Sequence, residues 1–156
     1  MPQFAEMRRL ADRHRPNGHA GSATERDTVV IGYDGSHAAR RALIRAAVAA
    51  GNGGQVVVVT AVPTAKMLAE QDEPLCADPE DLIAGARALL AGRDIDVSVR
   101  VEEAEPAEAL IATAREASAA LIVVGARGDS YLARALRGSV AEKLIARSPC
   151  DVLVVR

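Results

Sequence analysis

Three short aliphatic runs constrain this chain more than any other feature: residues 28–33 (TVVIGY), 56–62 (VVVVTAV) and 121–124 (LIVV). All three are continuous. A strand with one wet face would alternate apolar and polar residues; an unbroken β-branched run is what a strand covered on both faces needs. Such strands belong to parallel sheets, and parallel neighbours require a crossover, usually a helix, between them. Aromatics are only 2% of the chain while apolar residues are 49%, so Val, Ile, Leu and Ala must fill the core.

The intervening segments supply the crossovers. Residues 36–50 read as a helix, with Ala39, Leu43, Ala46, Ala47 and Ala50 at helical spacing and Gly51 as its stop. Asp78 followed by Pro79 starts a second helix that runs through Leu82, Ala86, Leu89 and Leu90 to Gly92. Residues 95–101 (IDVSVRV) alternate, which predicts a strand nearer an edge. A third helix spans 106–117, with Ala107, Leu110, Ile111 and Ala114 on one face. A fourth helix begins at Gly138 and runs to Arg147, and residues 151–155 form the last strand. Residues 64–77 read as a long connection or lid. The strict β-α-β-α-β-α-β-α-β order defines an α/β class: one doubly wound domain, a five-stranded parallel sheet with helices on both faces. Residues 27–156 form that domain. Residues 1–26 lack hydrophobic periodicity and read as a flexible extension.

Charge and composition set expectations about partners. The net charge of −2 predicts no nucleic-acid partner. No apolar run approaches the roughly 18–20 residues that span a bilayer, and the N-terminus has no signal-peptide layout, so the expected location is cytoplasmic. Cys76 and Cys150 are far apart and read as free thiols. His14, His19 and His37 lack the spacing of a metal site, so no structural metal is expected.

In doubly wound sheets ligands bind beyond the C-terminal strand ends, where strand order reverses. The segment after residue 124 therefore carries most weight. Two residues separate Gly125 from Gly128, nine separate Gly128 from Gly138, and Ser139 follows. Glycines let backbone N–H groups approach a ligand, and a helix start favours a phosphate. Ser139-Val140-Ala141-Glu142 is also a capping box, but capping does not account for Gly125, Gly128 and Gly138 together. Arg127, Arg134 and Arg137 either neutralise phosphate charge or are solvated loop charges partly balanced by Asp129. At the first strand end, Tyr33-Asp34-Gly35-Ser36 places a carboxylate beside the reversal point; Asp34 or Ser36 can equally cap the helix that follows.

The glycine spacing resembles the G-2x-G-9x-G-[S/T] signature of the nucleotide-binding branch of the universal stress proteins. VVIGYDGSHAARRAL resembles that family's first strand and helix, and SPCDVLVVR its last strand. The resemblance covers about residues 27–156. It implies strand order 3-2-1-4-5 and a homodimer through the C-terminal strand, with Val152 and Val154 in the contact. It also implies ATP, with Mg²⁺ on its phosphates, as the bound molecule. Transferred residue by residue, the implied nucleotide contacts are Gly32, Tyr33 and Asp34 at the first strand's exit, with Asp34 at ribose and phosphate, Ala61 at the adenine edge, and Gly125, Ala126, Arg127, Gly128, Gly138, Ser139 and Val140 in the glycine-spaced segment. The family often has His where this chain has Thr60.

The expected role is a regulatory stress-response module rather than an enzyme, with slow ATP hydrolysis as the most it would catalyse. The alternative is a cyclic-AMP-binding or nucleotide-independent interaction module of the same fold. An ATP-pyrophosphate-cleaving enzyme would carry an SGGxDS-like loop after its first strand, and this chain has YDGS there.

Overall fold

The aliphatic runs become the inner strands of a parallel sheet. The structure is a computed structural model that describes residues 27–62, 64, 78–126 and 139–156. The expected extension at 1–26, most of the connection at 64–77 and residues 127–138 lie outside the described residues. The elements are β1 (Thr28–Gly32), α1 (His37–Ala50), β2 (Gly54–Val62), α2 (Pro79–Leu90), β3 (Ile95–Glu103), α3 (Pro106–Glu116), β4 (Leu121–Gly125), α4 (Ser139–Arg147) and β5 (Asp151–Val155). The sheet order is β3-β2-β1-β4-β5, as the family resemblance implied, and every pairing is parallel, as the continuous runs implied.

Strand parity assigns the helices to faces. Val29, Ile31, Val56, Val58 and Val123 point to one side, where Ala39, Ala42, Leu43 and Ala46 of α1 and Ala86 and Leu90 of α2 cover them. Val30, Val57, Val59, Ile122 and Val124 point to the other, under Leu110, Ile111 and Ala114 of α3 and Leu144 of α4. Ile31, Leu43, Ile111, Ile122 and Leu144 are fully buried, each a gain of about 1.5–3 kcal/mol over exposure. The alanines of α1 let its axis sit close to the sheet, which is how a core with so few aromatics closes.

The helix starts are chemically marked. Ser36 Oγ accepts from Ala39 N at 3.1 Å, and Asp78 Oδ1 accepts from Glu80 N at 2.8 Å ahead of Pro79. Glu105, an unexpected cap, accepts from Glu108 N at 3.3 Å ahead of Pro106. Ser36 is thus the cap of α1 and not its first residue.

Two strands are longer than the sequence predicted. β2 begins at Gly54 rather than residue 56, and β3 reaches Glu103 rather than residue 101, because their ladder pairs them residue by residue from Gly54–Ile95 to Val62–Glu103. β1 is shorter: it stops at Gly32 and leaves Tyr33 outside the ladder.

Candidate functional site

The order reversal falls between β1 and β4, with β2 on the far side of β1. The C-terminal ends of these three strands bring together Asp34, Ala61 and Gly125, residues separated by long stretches of sequence. This edge is the place a doubly wound sheet offers a ligand.

The β1 exit is tightly specified. Tyr33 N donates to Val59 O at 2.9 Å. Thr60, buried, donates its Oγ1 to Tyr33 O at 3.0 Å. Asp34 Oδ1 then accepts from Ser36 N at 3.0 Å, so the carboxylate braces the turn while Ser36 caps the helix. Of the two cap candidates, Ser36 takes the helix cap and Asp34 braces the turn before it. The second Asp34 oxygen has no hydrogen-bond partner among the described residues. Gly35 has φ +79°, so the backbone calls for glycine; a Cβ there would also lie 2.7 Å from Leu82 Cδ2 of α2, the flexible end of that side chain. Arg40 Nε closes the turn on Gly35 O at 3.1 Å. Tyr33 itself is buried between the sheet and α2, its hydroxyl 3.5 Å from where a Cβ on Gly85 would stand.

The β4 exit is held differently. A Cβ on Gly125 would meet Ala38 Cβ at 2.8 Å, Ala38 C at 2.9 Å and Ala39 N at 3.0 Å. Gly125 is therefore small because the first turn of α1 crosses directly over it. Gly32 is tight on the opposite face, where a Cβ would stand 3.1 Å from Leu110 Cδ1. Ala126 N donates to Val155 O at 2.7 Å, so this amide is already engaged by β5. Arg41 Nε, on α1, holds Arg156 O at 3.0 Å.

Ser139 is the first residue of α4, and Val140 packs against the core shared by α3 and β4. Two ion pairs fix this helix to α3. Lys143 Nζ lies 3.4 Å from the buried Oε1 of Glu105, and Arg147 pairs with Glu108. Neither pair was foreseen, since nothing local in the sequence marks a contact between segments this far apart. Arg127, Gly128 and Gly138, assigned to the phosphates, lie outside the described residues, as do Arg134 and Arg137. Among the described residues no group of three His, Cys, Asp or Glu could hold a metal ion, and no helix is long and apolar enough to cross a membrane.

The chain is a doubly wound α/β domain with a carboxylate and a glycine at the strand exits beside its order reversal. The chain belongs to the universal stress protein family, whose pattern matches residues 25–156. It is 35% identical over 136 residues to a universal stress protein of Thermus aquaticus, covering 83% of this chain and 98% of that protein. It is 28% identical over 162 residues to the stress response protein NhaX of Bacillus subtilis, again covering 83% and 98%. Among solved structures, a universal stress protein in complex with cAMP is 31% identical, with a TM-score of 0.63 over 83% of this chain and 96% of that one. A universal stress protein of Archaeoglobus fulgidus in complex with dAMP is 25% identical, with a TM-score of 0.58 over 83% and 98%.

Proposed function

We propose that this protein is a cytoplasmic, homodimeric adenine-nucleotide-binding module that takes ATP with Mg²⁺ and acts by occupancy rather than turnover. The carrying observation is the convergence of Asp34, Ala61 and Gly125 at the reversal point, on a fold whose solved relatives include complexes with cAMP and dAMP. The residues fit such a ligand. The uncommitted oxygen of Asp34 suits ribose hydroxyls or a phosphate-bound Mg²⁺. Ala61 offers backbone groups to the base. The start of α4 at Ser139 suits phosphate oxygens, because its free N–H groups carry partial positive charge. The homodimer would form through β5.

A thermal-shift panel of ATP, ADP, AMP and cyclic AMP, each with and without Mg²⁺, tests the assignment. ATP with Mg²⁺ should stabilise most, by about 2.7 kcal/mol at a hundredfold excess over its Kd. No shift with any nucleotide would overturn it. The relative solved with cAMP supports a second reading, a cyclic-nucleotide module, and a larger shift with cyclic AMP than with ATP would establish that one instead.

A further inference from the structure

Between β1 and β2 one rung of the ladder is absent, and a side chain stands in its place. Tyr33 N donates to Val59 O, which fixes the side of β2 that Val59 presents to β1. Backbone N–H and C=O directions alternate along a strand, so Ala61, two residues on, presents its own N–H and C=O to the same side. In a continuing parallel ladder the Ala61 N–H would donate to Tyr33 O. It does not: the pairing ends at Gly32–Val59, and Tyr33 O is taken by Thr60 Oγ1 at 3.0 Å. Thr60 is 1% exposed, so its hydroxyl is held against that carbonyl rather than sampling water.

We propose that Thr60 is a positioning residue that sets base selectivity: its hydroxyl satisfies the Tyr33 carbonyl and thereby keeps the Ala61 N–H open for a ligand. This rests on the adenine-nucleotide function proposed above. One residue then presents a donor and an acceptor side by side past the end of β1. Adenine offers the complementary pair on its Watson–Crick edge, the N1 acceptor and the N6 amino donor. Guanine offers the reverse, an N1–H donor and an O6 acceptor, so at this position two donors and two acceptors would face each other. A buried polar group left unmatched in this way is what gives strong discrimination. Valine at position 60 keeps the shape of threonine and removes the hydroxyl. Tyr33 O would then recruit the Ala61 N–H, the ladder would gain its missing rung, and the base would lose its donor.

The test compares the full chain with Thr60→Val and Thr60→Ser by calorimetric titration with ATP and with GTP, alongside amide hydrogen exchange at Ala61. The parent should prefer ATP and exchange Ala61 rapidly. Thr60→Val should weaken ATP about tenfold, the scale of one hydrogen bond, with GTP unchanged, and its Ala61 amide should become protected. Thr60→Ser should retain the parent's preference, which a purely structural role for the methyl group would not give. Parental ATP affinity and selectivity in Thr60→Val would overturn the proposal while leaving the nucleotide assignment intact. A parent that binds no adenine nucleotide would overturn both. If Thr60→Val does not fold, a protected Ala61 amide in the ligand-free parent is by itself sufficient to reject the open-amide geometry, and rapid exchange with retained selectivity in Thr60→Ser supports it.

Discussion

The two edges of the sheet are built on opposite principles. β3 has nine residues, and its sequence IDVSVRVEE intersperses charge along its length. Arg100 on that edge is tied to Glu116 of α3 at 2.7 Å. β5 has five residues, DVLVV, with one charge at its start, and Leu153 and Val154 are 39% and 36% exposed. An edge strand carries unpaired N–H and C=O groups, and charge is a common way to keep such an edge from pairing. β3 is protected in this way; β5 is left apolar on both faces. The difference suits β5 to pairing with a second copy, where each copy's edge satisfies the other's.

Breaking this asymmetry should have its largest effect at β5. Leu153→Asp adds charge to the apolar edge, and for the proposed dimer we expect the dissociation constant to rise at least about a hundredfold, or about 2.7 kcal/mol, by sedimentation equilibrium. Glu103→Lys, the matched change on β3, should leave association unaltered; equal weakening by both would mean that the edges are not distinct. Gly125→Ala comes next, because its Cβ must displace the first turn of α1 beside β5's neighbour strand. We expect a loss of about 1–3 kcal/mol in denaturant unfolding. Arg41→Ala frees the carbonyl of Arg156, one hydrogen bond near the β5 end, and should cost about 1 kcal/mol. Arg100→Ala is the smallest change. The ion pair is partly exposed, so a loss below about 1 kcal/mol is expected, shrinking further in high salt.

The same contrast shows which parts of the molecule local sequence could reveal. Continuous runs, the alternating run at 95–101 and the helical intervals between them identified the strands and helices of the described residues, because burial on two faces and on one face leave different periods. Asp78 with Pro79 marked a helix start because a cap and the residue after it are adjacent in the chain. Thr60 had no such mark. Its role arises only when β2 lies beside β1, bringing its hydroxyl to a carbonyl 27 residues away. Gly125 was recognisable as a glycine at a strand end, yet the contact that demands it belongs to Ala38 and Ala39 of the first helix. Glu105 was hidden for another reason: glutamate is a poor marker of a helix start, and its second partner, Lys143, comes from α4. Asp34 was the intermediate case. Its turn was legible, and the structure shows that one oxygen supports the turn while the other is uncommitted among the described residues.

The burial of Tyr33 at the β1 exit also makes the protein its own optical reporter. The chain has no tryptophan, and its two tyrosines are Tyr33 and Tyr131. Tyr33 immediately precedes Asp34 in the chain, its ring buried against α2, and Tyr131 falls, by sequence, within the glycine-spaced segment. Near-ultraviolet absorption and circular dichroism of this protein therefore arise almost wholly from these two rings. Spectroscopy on the unlabelled chain, with a ligand transparent above 270 nm such as a ribose phosphate, reads the surroundings of these two rings rather than the molecule at large.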